Sequence, residues 1–389
     1  MTKRAQFIPY RPKTILNKGK RPDHSFWTRY SAYPYIGCQH GCEFCYCRER
    51  KYYPYEDVND FAYTVKIKEN APLLLRRALS GRNMSVDPIF TGDYQPAERR
   101  FQVSRQMLEV CYDLGFPVFV LERSPLVLRD LDLLQAISQR AASTVAFSII
   151  STPDSPGYER VRALERLAPP AEKRFAAMQQ IAEVGILTGT CMMPILPFLS
   201  DDDATLESVI RWTADHGGRF VLAGGLTLAD QQRDYFFGVL HERFADLLPP
   251  YERVYPAGSY GAIRSGDPHA IGRRIRELCQ RYNISDRLPR HTIPGDKRAL
   301  NKRVVEALAN ECYRMELDGA PGQRVWALRK AAWAIEDLQP DIGLVYRQLG
   351  RNGLASIENV GPQLALSIEE LVTVLRANPT DCGPPCSPG

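Results

Sequence analysis

Three cysteines, Cys38, Cys42 and Cys45, spaced Cys-x3-Cys-x2-Cys, place a tighter demand on the fold than any other part of this chain. Soft thiolates so close in sequence suit a soft metal centre, and the backbone must turn all three toward a common space to bind it. An iron–sulfur cube has four irons that each want a ligand, so three cysteines hold three irons and leave the fourth open to a small molecule. Two other readings compete. A structural zinc takes four ligands, and His40, between the first two cysteines, is awkwardly placed to join the same tetrahedron. A disulfide needs an oxidising compartment. No apolar signal segment opens the sequence, so the expectation is a cytoplasmic protein with reduced thiols.

The chain has 389 residues, 44% of them hydrophobic, without a long apolar run, so a membrane span is not expected and a large catalytic domain with a smaller companion is. Its net charge of +5 is unevenly spread. Residues 1–30 carry Lys3, Arg4, Arg11, Lys13, Lys18, Lys20, Arg21 and Arg29 against the single Asp23. A second basic block, from Arg264 to Arg303, includes Arg273, Arg274, Arg276, Arg287, Arg290, Lys297 and Arg298. Such blocks suit a polyanion, because each phosphate contact releases counterions, and they equally suit a solvated surface.

From about residue 33 to 260, within an expected domain of residues 31–300, short β-type runs alternate with longer helical patterns, as in βα units on a parallel sheet. Strands are predicted at 31–36, 88–91, 118–121, 144–150, 187–192 and 220–223, with helices at 71–79, 104–114, 126–141, 171–183 and 205–216. In parallel barrels the C-terminal strand ends and the loops after them build the site. The cysteine loop directly follows the first predicted strand, where that rule puts a cofactor.

The run from Tyr33 to Tyr46, with aromatic Phe44 just before the last cysteine, resembles the radical S-adenosylmethionine (SAM) enzymes. The segments Thr91–Glu98, Arg123–Leu128 and Ala146–Thr152 extend the resemblance to the branch related to spore photoproduct lyase, over roughly residues 12–290. The resemblance implies an α/β fold, a partial (βα)6 barrel. It implies a [4Fe–4S] cluster on Cys38, Cys42 and Cys45 whose open iron is chelated by SAM, one-electron cleavage to a 5′-deoxyadenosyl radical, and an electron donor such as flavodoxin or ferredoxin. Carried over by position, Phe44, Gly92, Asp93, Arg123 and Ser148 would surround SAM. Asp93 can accept from an ammonium or ribose hydroxyl, Arg123 can hold a carboxylate, and Ser148 can serve either. There is one departure. The lyases carry a hydrogen-donating cysteine at the end of the second strand, and Phe90 stands there. Tyr46 and Cys47 are the nearest alternatives for hydrogen transfer. Cys111, Cys191 and Cys279 read as core thiols.

From residue 301 the pattern becomes helical throughout. Leu354 to Leu371 reads as helix, tight hairpin, helix: Asn359 can turn left-handed, Val360 and Gly361 complete the turn, and Pro362 starts the next helix. Free amides at that helix start can hold a DNA phosphate without reading a base. Residues 301–376 thus resemble a helix-hairpin-helix DNA-binding domain like the N-terminal domain of family X DNA polymerases. Those domains can use a lysine nucleophile in the second hairpin helix. Ser367 occupies that position here, so deoxyribose-phosphate lyase chemistry is not expected. Residues 377–389 read as a disordered tail, with Cys382 and Cys386 as weak metal candidates.

The expectation is therefore a radical SAM enzyme that abstracts a hydrogen atom from DNA in repair or processing of a base lesion. Modification of RNA or protein, with the helices as a docking module, is the alternative within enzymes. A DNA-binding protein with a redox or structural cluster is the alternative outside them.

Overall fold

The computed structural model describes residues 4–81, 84–256, 261, 263, 266–293 and 295–377. Cys382, Cys386 and Arg264 lie outside the described residues, as does all but the first residue of the expected tail. Among the described residues ten strands occur in chain order: β1 (Gln6–Tyr10), β2 (Asn17–Lys18), β3 (Tyr30–Ser31), β4 (Tyr35–Ile36), β5 (Thr64–Lys68), β6 (Ile89–Gly92), β7 (Val118–Glu122), β8 (Ser143–Ser148), β9 (Leu187–Ile195) and β10 (Phe220–Gly225). Seven of them form a curled sheet in the order β10-β9-β8-β7-β6-β3-β2, and β1-β5-β4 form a separate small sheet. The pairs from β3 through to β10 are all parallel, and β2 adds one antiparallel edge. This is the partial (βα)6 architecture.

Parallel neighbours need long crossovers, and the amphipathic helices between the strands supply them. Helices Val103–Leu114, Leu131–Arg140 and Ala171–Glu183 pack on the outer face through Met107, Leu134 and Phe175, against Val118, Val120, Val145 and Phe147 of the strands. Helices Asp203–Asp215 and Ala270–Arg281 cover the far end through Val209, Ile210, Ile275 and Leu278 against Met192 and Val221.

Two expected elements differ. The first expected strand, 31–36, divides: Tyr30–Ser31 pairs with β6 in the large sheet, while Tyr35–Ile36 runs antiparallel to β5 in the small one. Pro34, which has no amide hydrogen to give, lies at the switch. The expected helix 126–141 opens as a 3-10 turn, Pro125–Asp130, capped by Ser124, before the α-helix proper.

The inner face of the sheet alternates with the outer at a period of two. Its lower half is not open. Phe119, Ala146, Cys191, Phe220 and Leu222 share one apolar cluster with Val304, Val305, Leu308, Val325, Leu328, Ile335, Ile368 and Val372 of the C-terminal helices. Those helices, Ala299–Leu317, Gly322–Asp337, Ile342–Ala355 and Pro362–Ala377, therefore close the barrel from below. Fully burying one phenylalanine contributes roughly 1.5–3 kcal/mol, so the seam is a substantial part of the core.

The basic arm is threaded into the same seam. Trp27 is buried there and its indole donates to the Leu288 carbonyl at 2.9 Å. Arg29 pairs with Asp87 at 2.6 Å and faces Glu336, while Arg21 binds Asp337 and stacks on Trp333. Glu336 is held bidentately by buried Arg290, at 2.6 and 3.0 Å. In the second basic block Arg273, Arg274 and Arg276 pair with Asp267, Asp203 and Asp318, and Arg287 donates to the His24 carbonyl and to Asn310. Of the charge expected to meet a polyanion, Arg29 and Arg290 are thus committed to buried carboxylates, while Arg273, Arg274 and Arg276 form pairs at the surface.

Candidate active site

The loop carrying the cysteines starts immediately after β4 and is held by side chains far away in sequence. Gly37 has φ +85°, and a Cβ there would lie 2.3 Å from the Thr64 carbonyl oxygen, so only glycine lets the loop leave the small sheet this way. The Cys38 amide donates to Phe61 O at 3.0 Å. Gln95, in the loop after β6, accepts from the Gln39 amide and donates to Gly37 O, both at 3.0 Å. On the other side buried Arg48 donates to the carbonyls of Cys42, Gly41 and Val58 at 3.1, 3.0 and 2.9 Å, its guanidinium lying over Phe61 and Tyr235. A carbonyl tied to an arginine cannot drift, so the three thiols keep a fixed spacing before anything binds.

All three thiols line one cavity of about 510 Å³ at the C-terminal end of the large sheet. Phe44, Tyr46, Asp93, Arg123 and Ser148 line it as well, each from the place where a different strand or the cysteine loop ends. Gly92 and Cys47 do not appear on its wall. Gly92 acts through the backbone: its φ is 149°, and a Cβ would meet a Glu122 carboxyl oxygen at 2.5 Å. Cys47 hydrogen-bonds Cys45 and Tyr46.

The residues after the strand ends are set by a few buried groups. Asp93 has a left-handed backbone, φ 73°. The turn is braced by Glu122, which accepts from the Tyr94 amide at 3.0 Å and also from the amides of Asp93 and Arg123. Burial pushes the Glu122 carboxyl up to about 8, and burial raises Asp93 to about 6 with Lys68 opposing it. Ser148 donates its hydroxyl hydrogen to Met193 O at 2.9 Å, so toward the cavity it acts as an acceptor. Arg123 pairs with Glu165 and reaches the same Met193 carbonyl at 3.4 Å. Glu165 also binds Arg174 at 2.9 Å, with Arg162 at 3.7 Å, so positive charge exceeds negative beside the thiols. Phe90 lines the cavity and packs on Phe26 and Phe119 at ring distances of 5.3 and 5.2 Å, which makes an apolar floor.

Sequence reading missed Gln95, Arg48, Glu122, Glu165, Arg174 and the lip formed by Gly224, Gly225 and Thr227. Glu122 alone left a trace, as an acid ending an apolar strand.

The donor set fits a cluster. Among the described residues no group of three or more His, Cys, Asp or Glu could hold a metal ion between them. The three thiols line one volume, around which a multinuclear centre would spread its ligands over separate metals. Burial holds the Cys42 thiol up at about 11, whereas the hydrogen bond from Cys47 lowers Cys45. The arginines on Glu165 supply the charge that an anionic centre in this cavity would need. No described helix is long and apolar enough to cross a membrane.

No protein-family model matches the chain. An uncharacterized protein of Mycobacterium tuberculosis is 27% identical over 263 residues, 66% of this chain and 75% of that one. An uncharacterized protein of Methanocaldococcus jannaschii is 28% identical over 202 residues, covering 52% and 72%. Among solved structures, a mutant spore photoproduct lyase with dinucleoside spore photoproduct superposes with a TM-score of 0.52 at 12% identity, over 72% of this chain and 80% of that one. At that identity the likeness is one of fold: the chain shares the partial α/β barrel of that lyase and adds a helical C-terminal region.

Proposed function

We propose that this chain is a radical SAM enzyme acting on DNA, in repair or processing of a base lesion. The observation that carries the reading is the convergence of Cys38, Cys42, Cys45, Asp93, Arg123 and Ser148 on one cavity at the C-terminal end of a parallel half-barrel. Cys38, Cys42 and Cys45 would hold a [4Fe–4S] cluster and the remaining wall would hold SAM. When bound, that pair supplies one-electron cleavage of the sulfonium and hydrogen-atom abstraction. The chain's own residues then have separable tasks. Asp93 accepts from an ammonium or hydroxyl, and Ser148 offers lone pairs beside it. Arg123, shared with Glu165, presents its remaining donors to a carboxylate. Phe26, Phe90 and Phe119 keep water from one side of the reacting centre. Tyr46, half-exposed at the cavity wall, and Cys47 behind it are the hydrogen-transfer candidates in place of the missing cysteine.

DNA is favoured by the C-terminal hairpin. Asn359 has φ 59°, Val360 is buried in the helical core, and the helix begins at Pro362 with its first amides outside the helical ladder. A Cβ on Gly361 would meet nothing within 4 Å, so the approach that this glycine permits is from outside the chain.

Anaerobic protein reconstituted with iron and sulfide, reduced with dithionite and given SAM should release 5′-deoxyadenosine; an intact four-iron cluster that releases none sinks the radical reading. Gel-shift titration should show salt-sensitive binding to duplex or nicked DNA, weakened in Gly361→Val. If the full chain binds no DNA at low salt, the substrate belongs to the RNA or protein class instead.

A further inference from the structure

His40 is buried, with 6% of its surface exposed, and neither ring nitrogen has a hydrogen-bond partner in the protein. It lines the same cavity as Cys38, Cys42 and Cys45. The charged groups that act on it are Arg174 and Arg123. A guanidinium has donors and no acceptor, so neither arginine can take the imidazole hydrogen. In either protonation state the ring carries at least one N–H, and a buried N–H without an acceptor is uncommon enough to require explanation. The acceptor must come from what fills the cavity. His40 already serves that neighbourhood with its backbone, since its amide hydrogen-bonds the Cys38 sulfur.

We infer that the His40 side chain donates a hydrogen bond to a sulfur of the cluster, a cysteine thiolate or a bridging sulfide, and so raises the cluster's reduction potential. The inference rests on the cluster proposed above. A sulfur gains negative character when the cluster accepts an electron, and a donor aimed at it therefore stabilises the reduced form more than the oxidised one. His40 is here a tuning residue and not a ligand: iron is held by the three thiols, and the histidine acts on its electron affinity.

The test is an anaerobic redox titration of the reconstituted full-length protein without SAM, following the electron paramagnetic resonance signal of the reduced cluster. His40→Phe removes the donor and keeps a planar ring. It should retain four irons and lower the equilibrium constant for reduction about tenfold, a fall of about 59 mV for one electron. His40→Gln, which restores an N–H, should recover part of the shift. An unchanged potential in His40→Phe with four irons present overturns the role of His40 and leaves the cluster assignment standing. So does a strong nitrogen hyperfine coupling in the wild type, which would make His40 an iron ligand. A wild-type protein that assembles no four-iron cluster overturns the reading of the site as well.

Discussion

The same parallel strands present two different surfaces to the inside of the half-barrel, and the border between them is crossed within one or two steps of the pleat. On β7, Phe119 belongs to the apolar seam and Arg123, just past the strand end, to the cavity; on β8 the pair is Ala146 and Ser148, on β9 Cys191 and Met193, and on β10 Leu222 and Gly224. Below the border the strands meet large aliphatic and aromatic side chains from the C-terminal helices. Above it they end in small, charged or hydrogen-bonding groups around an open volume. The lower half can be rigid because it has nothing to bind. The upper half borrows that rigidity, through the backbone, to keep thiols and polar groups in place with few contacts of their own.

If that division holds, substitutions on the two sides of the border should fail in different ways. The largest effect belongs to the cysteines. Replacing Cys38, Cys42 or Cys45 by Ala should abolish both the four-iron content and SAM cleavage while leaving urea unfolding of the apoprotein close to wild type. A variant that still makes 5′-deoxyadenosine would remove that cysteine from the ligand set. Below the border, Phe119→Ala should cost about 3–5 kcal/mol of stability, the usual range for emptying a buried aromatic site. Because the seam joins strands and C-terminal helices, circular dichroism and the tryptophan fluorescence of a protein carrying Trp27→Phe and Trp212→Phe, which leaves Trp326 and Trp333 of those helices as the reporters, should lose signal in one transition; two separate transitions would break the picture of a shared core.

Smaller losses are expected at the rim. Asp93→Asn and Arg123→Ala should leave iron near normal and weaken SAM binding by roughly ten- to hundredfold, the worth of one charge-assisted hydrogen bond. Wild-type affinity should also fall as pH drops through about 6, where Asp93 becomes protonated, and Asp93→Asn should lose that dependence. Isothermal titration at several pH values decides this, and unchanged affinity in both variants would clear these residues of any contact. Glu122 should affect stability and leave iron content alone. Its folded-state value near 8 lies above its ordinary 4.5, so the folded protein holds the proton more tightly than the unfolded chain. Stability from this group is complete below about pH 4.5 and is lost as pH rises through 8. Glu122→Gln should flatten the decline of the urea midpoint between pH 5 and 8, and an equally steep decline would assign it elsewhere.

The periodic parts of this molecule were plain in the sequence. Helices Ala71–Leu79 and Ala171–Glu183 fall where their apolar spacing puts them, and the strands from β6 to β10 start within a residue of their expected positions. The cysteine spacing pointed to the cavity. Other features arise from pairs of residues far apart in sequence, which local pattern does not encode. Nothing near Glu165 announces that Arg123 and Arg174 will both close on it, and nothing near residue 31 says that the strand will leave one sheet for another. The arginine-rich block from Arg264 to Arg303 left a phosphate contact and a solvated surface equally open, because composition counts charges, while partners such as Asp203, Asp318 and Glu336 are supplied from other elements.

The seam of Phe119, Phe220 and Leu222 with Val304, Leu328 and Ile368 also orders events in time. Chains emerge from the ribosome N-terminal end first, at about 5–20 residues per second, so β10 is complete several seconds before the last helix, Pro362–Ala377, is available to cover it. During that interval the half-barrel already has Cys38, Cys42 and Cys45 and an uncovered greasy underside. A ribosome stalled near residue 300 would therefore display an apolar surface of the kind that chaperones recognise.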